Sequence, residues 1–199
     1  MKKSTRLIVA CLFFSASQTV FAGNENGFYL GASYGESSFD LKYGREGEDS
    51  AYKVFGGYNF NLLPLFDLAV EASYVDFGTI SHKFDVHRTT IDDEEIVVDG
   101  YGFISTTGWN IFGVAGFNFG PVSLFGKLGM ASWISREEGE IPDLDYSLSS
   151  STEAGNDPAY GVGAKIQLSS FSLRAEYESF DAGSFGDFNM MSLGMAYTF

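Results

Sequence analysis

The chain has 199 residues and no proline-, glycine- or serine-rich linker, so a single domain is expected. Glycine (24), phenylalanine (20) and tyrosine (11) are far above ordinary usage while mean hydropathy is zero, which excludes a disordered chain and a helical membrane protein alike. A formal net charge of −14 argues against nucleic acid as a partner, because that binding is driven by basic patches.

The first element is MKKSTR, then LIVACLFFSASQTV, then FA before GNENG: a basic start, an apolar stretch and small residues around Ala22. This reads as a cleaved secretory signal peptide over residues 1–22, leaving 23–199 as the mature domain. A retained transmembrane helix fits less well, because Ser15, Ser17, Gln18 and Thr19 leave the apolar core short of about 20 residues. A lipoprotein signal at Ile8-Val9-Ala10-Cys11 would have almost no apolar region ahead of it. Cleavage after Ala22 removes Lys2, Lys3, Arg6 and the only cysteine, leaving nine basic against 26 acidic residues and a net charge of −17. No disulfide, thiol nucleophile or thiolate metal site is then expected.

Beyond Ala22 the pattern alternates with period two in eight segments, about 28–36, 51–60, 68–77, 108–119, 122–134, 159–168, 171–180 and 188–199. Each has roughly the 9–11 residues that a tilted strand needs to cross a bilayer. One parity is apolar: Phe28, Leu30, Ala32 and Tyr34 open it, and Met191, Leu193, Met195, Tyr197 and Phe199 close it. The other parity is mostly Gly, Ser, Asn and charge, with Phe112 and Val114 as exceptions in the fourth segment.

Alternation alone does not say which face points inward, since a soluble lipocalin-like barrel has the same period. The lumen of an eight-stranded barrel is only wide enough for side chains to fill, so the small and polar parity fits there. Aromatic residues also gather at two levels, Phe28, Phe60, Phe119, Phe171 and Phe199 at one, and Tyr52, Tyr74, Trp109, Trp133, Tyr160 and Phe180 at the other. These read as the girdles of two membrane–water interfaces. The connections 36–50, 78–107, 135–157 and 181–187 alternate with shorter ones at 61–67, 120–121 and 169–170. Long extracellular loops and short periplasmic turns follow, with both termini periplasmic. The expected fold is all-β: an eight-stranded antiparallel up-and-down transmembrane β-barrel in the Gram-negative outer membrane.

The GFYLGASYG opening, the GGYNF and EASYVDFG segments and the closing MSLGMAYTF carry a family resemblance. The mature chain resembles the small eight-stranded outer-membrane barrels of the OmpA transmembrane-domain, OmpX and opacity-protein group. In that group the closing strand and its final aromatic are recognised by the barrel-assembly machinery, which would make Met195, Tyr197 and Phe199 an assembly signal. The resemblance implies outer-membrane lipids and lipopolysaccharide as surroundings. No peptidoglycan-binding module follows residue 199, so the wall tether of the OmpA pattern is not expected.

Charge divides sharply along the chain. Twenty of the 26 acids lie in the four long connections beside Lys42, Arg45, Lys83, Arg88 and Arg136. The remaining bases, Lys53, Lys127, Lys165 and Arg174, fall on the inward parity with Glu71, Glu176 and Glu178. Charges in a narrow lumen are costly unless paired, so an ion-pair network that plugs the barrel is expected. Such a network is read either as a static polar core or, as the resemblance suggests, as a gate for small ions.

The acidic stretches Asp92-Asp93-Glu94-Glu95 and Asp143-x-Asp145 lack the D-x-[DN]-x-[DN]-G spacing of a calcium loop, and no metal or cofactor is expected. Divalent ions bridging these carboxylates to lipopolysaccharide phosphates remain an open reading. His82 and His87 make a weak metal or haem signal and read as surface residues. Glu95–Val98 and Tyr101–Ile104 look strand-like, suggesting a hairpin about Asp99-Gly100 whose edge could recruit a partner by strand addition.

The leading functional expectation is a non-enzymatic surface-presenting or envelope-integrity barrel, with an extracellular ligand met by loops 78–107 and 135–157. A narrow cation channel is the second reading. A lipid A-modifying or omptin-like enzyme is the third, and the confinement of both histidines to one loop disfavours it.

Overall fold

A computed structural model describes residues 26–41, 45–63, 65–89, 95–141, 146–183 and 186–199, so the expected signal peptide lies outside the described residues. Residues 41, 45–46, 61–63, 82–89, 95–100, 140–141 and 146–149 are described as backbone only. Eight antiparallel strands follow in order: β1 (Gly27–Leu41), β2 (Arg45–Leu63), β3 (Phe66–Thr89), β4 (Glu95–Phe119), β5 (Val122–Ile141), β6 (Tyr146–Leu168), β7 (Phe171–Asp181) and β8 (Gly186–Thr198). Each pairs with its neighbour and β8 pairs with β1, from Tyr29↔Thr198 to Leu41↔Gly186, so the sheet closes and leaves no edge at this level.

The closed ring separates two faces. Leu193, Leu173 and Tyr197 point away from the axis with 71%, 48% and 39% of their surface exposed, whereas Lys53, Glu71 and Glu178 are fully buried inside. Phe28, Phe119, Phe171 and Phe199 are exposed at the end that carries the termini, and Tyr52, Trp109 and Tyr160 are exposed nearer the other. Two members of the expected second girdle are not there. Trp133 and Phe180 lie inside the barrel, because they share strand parity with Lys127 and Arg174 respectively, and parity decides the face.

The short-turn end is tightly made. Gly120-Pro121 links β4 to β5 with Gly120 at φ +69°, and Ser169-Ser170 links β6 to β7 with Ser169 at +58°, the backbone sign that two-residue hairpins require. Each turn is tied to the next strand: Gln167 N donates to Pro121 O, and Thr198 N to Ser170 O, both at 2.8 Å. Phe199 N donates to Phe28 O at 2.9 Å across the closing seam.

The far end differs from expectation. Most of the residues read as long loops continue as strand, so β3, β4, β5 and β6 reach 24, 25, 20 and 23 residues while β7 and β8 have 11 and 13. The highest β2–β3 pair is Tyr52↔Asp76 and the highest β6–β7 pair is Ala159↔Phe180. Above these levels β3–β6 continue as a four-stranded wall, paired to Thr89↔Glu95, Tyr101↔Glu140 and Ile141↔Tyr146, while β1 and β2 continue as a shorter hairpin paired to Leu41↔Arg45. Asp99-Gly100 is not a turn: it lies within β4 opposite Asp85 and Phe84, and the β3–β4 connection falls at 90–94. A favoured turn pair loses to a register that buries more ladder on either side.

One irregularity sets the side on which the upper residues of β3 fall. Phe77 and Gly78 of β3 together oppose Thr106 of β4, a β-bulge, between the pairs Asp76↔Thr107 and Thr79↔Ser105. Below it odd-numbered β3 residues face inward; above it Ile80 does. Gly78 sits at φ +83°, and a Cβ there would meet Asp49 Oδ2 at 2.4 Å, so only glycine fits without displacement.

Candidate functional site

The lumen is built in two storeys. On the inner faces of β2, β3, β5 and β7, period two brings Lys53, Glu71, Lys127, Arg174, Glu176 and Glu178 to one level. Lys53 Nζ lies 2.8 Å from Glu176 and 2.5 Å from Glu178. Lys127 Nζ contacts three carboxylates, Glu71 at 2.6 Å, Glu176 at 2.5 Å and Glu178 at 3.1 Å. Arg174 Nη1 donates to Glu71 Oε2 at 2.8 Å, and its Nε lies 2.8 Å from Glu176 Oε1, off the line of a hydrogen bond. Three cations and three carboxylates therefore neutralise one another in a region from which water is excluded.

Glycines in the wall make the space for this cluster. A Cβ at Gly161 would meet Glu178 Cγ at 2.9 Å, and one at Gly31 would meet the Phe55 ring at 2.4 Å. Phe55 and Phe125 in turn sandwich the Arg174 guanidinium at 4.5 and 4.9 Å from their centroids, a cation–π contact favoured by desolvation.

Lys165 does not join the cluster. It lies nearer the short-turn end, 3.4 Å from Asp67, a partner that the sequence reading passed over although residues 67 and 71 share parity. Tyr29 is a second unforeseen member, its hydroxyl donating to Glu71 Oε2 at 2.8 Å. Tyr29, Asn59, Asp67, Lys165 and Arg174 border a cavity of about 50 Å³ at this end, room for a few waters. Asn59 Oδ1 is buried there with no protein partner.

Above the ionic level the lumen turns apolar. Phe77, Phe112, Phe180 and Phe188 are essentially inaccessible and, with Phe39, Ile104, Trp133 and Met190, form one buried cluster. Phe77 stacks edge-on against Phe180 at 5.0 Å, and Phe188 lies 5.4 Å from Phe39 and 5.7 Å from Trp133. The indole Nε1 of Trp133 donates to Asp157 Oδ2 at 2.8 Å, so its one polar atom is satisfied. Sequence reading missed this stopper because girdle aromatics and lumen aromatics are the same residue types.

The remaining sequence-predicted residues are dispersed. Met195, Tyr197 and Phe199 face outward along β8, Tyr197 packing edge-on against Phe171 at 5.1 Å and Phe199 at 5.0 Å. The side chains of His82 and His87 lie outside the described residues, as do Asp92–Glu94 and Asp143–Asp145. Among the described residues no three His, Cys, Asp or Glu side chains come together as a metal site.

Comparison with known proteins converges on one family. The model of the outer membrane protein beta-barrel domain matches residues 7–199, nearly the whole chain. The chain belongs to this family. Outer membrane protein P5 of Haemophilus influenzae is 36% identical over 87 residues, 39% of this chain and 25% of that protein, so the match spans only a quarter of its curated relative. The crystal structure of Ail, the attachment invasion locus protein of Yersinia pestis, superposes with a TM-score of 0.55 at 18% identity, covering 87% of this chain and 99% of that one. Neisserial surface protein A superposes at 0.51 with 15% identity, covering 87% and 97%. The chain is thus a transmembrane β-barrel of the outer membrane, its exposed apolar band facing lipid.

Proposed function

We propose that this barrel is a non-enzymatic, surface-presenting protein: the β3–β6 wall stands outside the cell, the termini and short turns lie in the periplasm, and the lumen is closed. One observation carries the reading. Four strands of 20–25 residues are about twice what a bilayer crossing needs, while β7 and β8 end near the membrane. A half-open collar of sheet therefore projects on one side only, offering backbone edges at β3 beyond Thr79 and at β6 before Ala159 to contacts from outside.

At 15–19% identity the solved neighbours show the fold alone, so adhesion or envelope integrity must be tested on this chain. Cysteines at Thr152 in the wall and at Ser170 in a short turn test the orientation: an impermeant thiol reagent on intact cells should label the first and spare the second. Shortening residues 78–107 and 135–157 to tight turns should abolish attachment to surfaces while leaving a heat-modifiable barrel. Unchanged attachment would overturn the presenting role.

The channel reading has weaker support. The neutralised ionic level and the aromatic stopper lie in series, so steady conductance in planar bilayers is not expected, and regular steps from the wild-type protein would overturn closure. The outward row Met195, Tyr197 and Phe199 supports a role for β8 as the element read by the assembly machinery. Deleting Phe199 should lower the assembled fraction in cells without lowering the stability of protein refolded in detergent.

A further inference from the structure

The cavity of about 50 Å³ at the short-turn end offers chemistry that the ion-pair cluster beside it does not use. Its charged neighbours are already matched. Arg174 donates to Glu71, and both oxygens of Asp67 are taken, Oδ1 by Asn118 Nδ2 at 2.8 Å and Oδ2 by Lys165 Nζ at 3.4 Å. Asn59 is the exception: it is 5% exposed, and its Oδ1 meets no hydrogen-bond donor among the described residues. A buried carbonyl left unmatched is costly, so the cavity presents one strong acceptor to whatever enters it. Much of the remaining wall is carbon, from Ala69, Val114, Phe125 and Ala196.

We propose that this cavity is a binding site for a small uncharged solute that carries an N–H or O–H donor beside a carbon body. Its size admits roughly three to five non-hydrogen atoms, at about 10–15 Å³ for each water-sized group. An ion is disfavoured, because the pairs Lys165–Asp67 and Arg174–Glu71 leave no net charge to offset its loss of hydration. Water is a poorly held occupant, since a buried water needs several polar partners and the carbon walls supply none. A solute that donates to Asn59 Oδ1 and lays carbon against Val114 and Phe125 displaces such water at a gain. On the orientation proposed above, the site faces the periplasm, with Tyr29 and Arg174 at its inner end.

Acetamide, acetone and acetate share one trigonal skeleton and differ only at one corner, where they carry an N–H donor, a methyl group and a charged oxygen. The experiment titrates each into the isotope-labelled, detergent-solubilised barrel and follows the amide signals of Asn59, Ala69 and Ala196 by NMR. Acetamide should saturate with a dissociation constant on the order of 10 mM, as befits so few atoms. Acetone and acetate should bind roughly tenfold more weakly or less, because neither gives Asn59 Oδ1 a donor. In heat-modifiable barrels, Asn59→Leu should erase the advantage of acetamide over acetone, and Ala69→Leu should fill the cavity and remove acetamide binding. Shifts that never saturate in the wild-type protein, or equal binding of all three probes, would overturn the site. So would an Asn59→Leu barrel that keeps the preference for acetamide. Both ends of the barrel are open in a micelle, so binding there is independent of the orientation that the cysteine labels decide.

Discussion

The two storeys of the lumen fill the same narrow cylinder by opposite means. Below, Lys53, Lys127 and Arg174 interlock with Glu71, Glu176 and Glu178, so every member is held by at least two others. Above, Phe77, Phe112, Phe180 and Phe188 meet by ring edges and shape. The charged level acts as a unit, because removing one ion leaves the others with a net charge that is uncompensated and shielded from solvent. The aromatic level degrades gradually, since a smaller side chain leaves only a void.

The hardest test of this contrast is Glu71→Ala, which strips partners from Lys127, Arg174 and Tyr29 at once. It should cost about 3–5 kcal/mol in urea unfolding from detergent micelles, and a loss under about 1 kcal/mol would show that the cluster does not act as a unit. Phe180→Ala should cost about 3 kcal/mol by opening a cavity, while Phe180→Leu should recover most of that. Trp133→Phe keeps an aromatic ring but loses part of the packing and the bond to Asp157, and about 2 kcal/mol should be lost. The smallest effect belongs to Lys165→Met: its carboxylate partner Asp67 is reached at 3.4 Å in a partly open setting, so the change should lie below about 1 kcal/mol. A Lys165→Met loss as large as that of Glu71→Ala would erase the distinction between the central cluster and its periphery.

The barrel was legible in the sequence because lipid and lumen impose opposite chemistry on alternate residues, and eight such alternations survive side by side. Their upper limits were not legible. Outside the membrane both faces of a strand meet water, so a run such as Ser147-Leu148-Ser149-Ser150-Ser151-Thr152 carries no contrast, although β6 passes through it. Parity alone puts Trp133 and Phe180 inside; the expectation of an aromatic girdle drew them out, showing that residue type is a poorer guide than phase. Asp67 and Tyr29 share the inward phase of Glu71 and Gly31, and were readable by the same rule. What no rule of phase supplies is an irregular step of the ladder, such as the ring at Phe77-Gly78 where the phase itself changes.

That ring makes the projecting half of β3 independent of the half embedded in lipid. Excising Gly78 would turn every later β3 side chain through half a revolution, exchanging what greets the solvent with what shelters behind the collar. Surface variation above the ring and conservation of the greasy staves below it can therefore proceed separately, hinged on one residue that has no side chain to offer either.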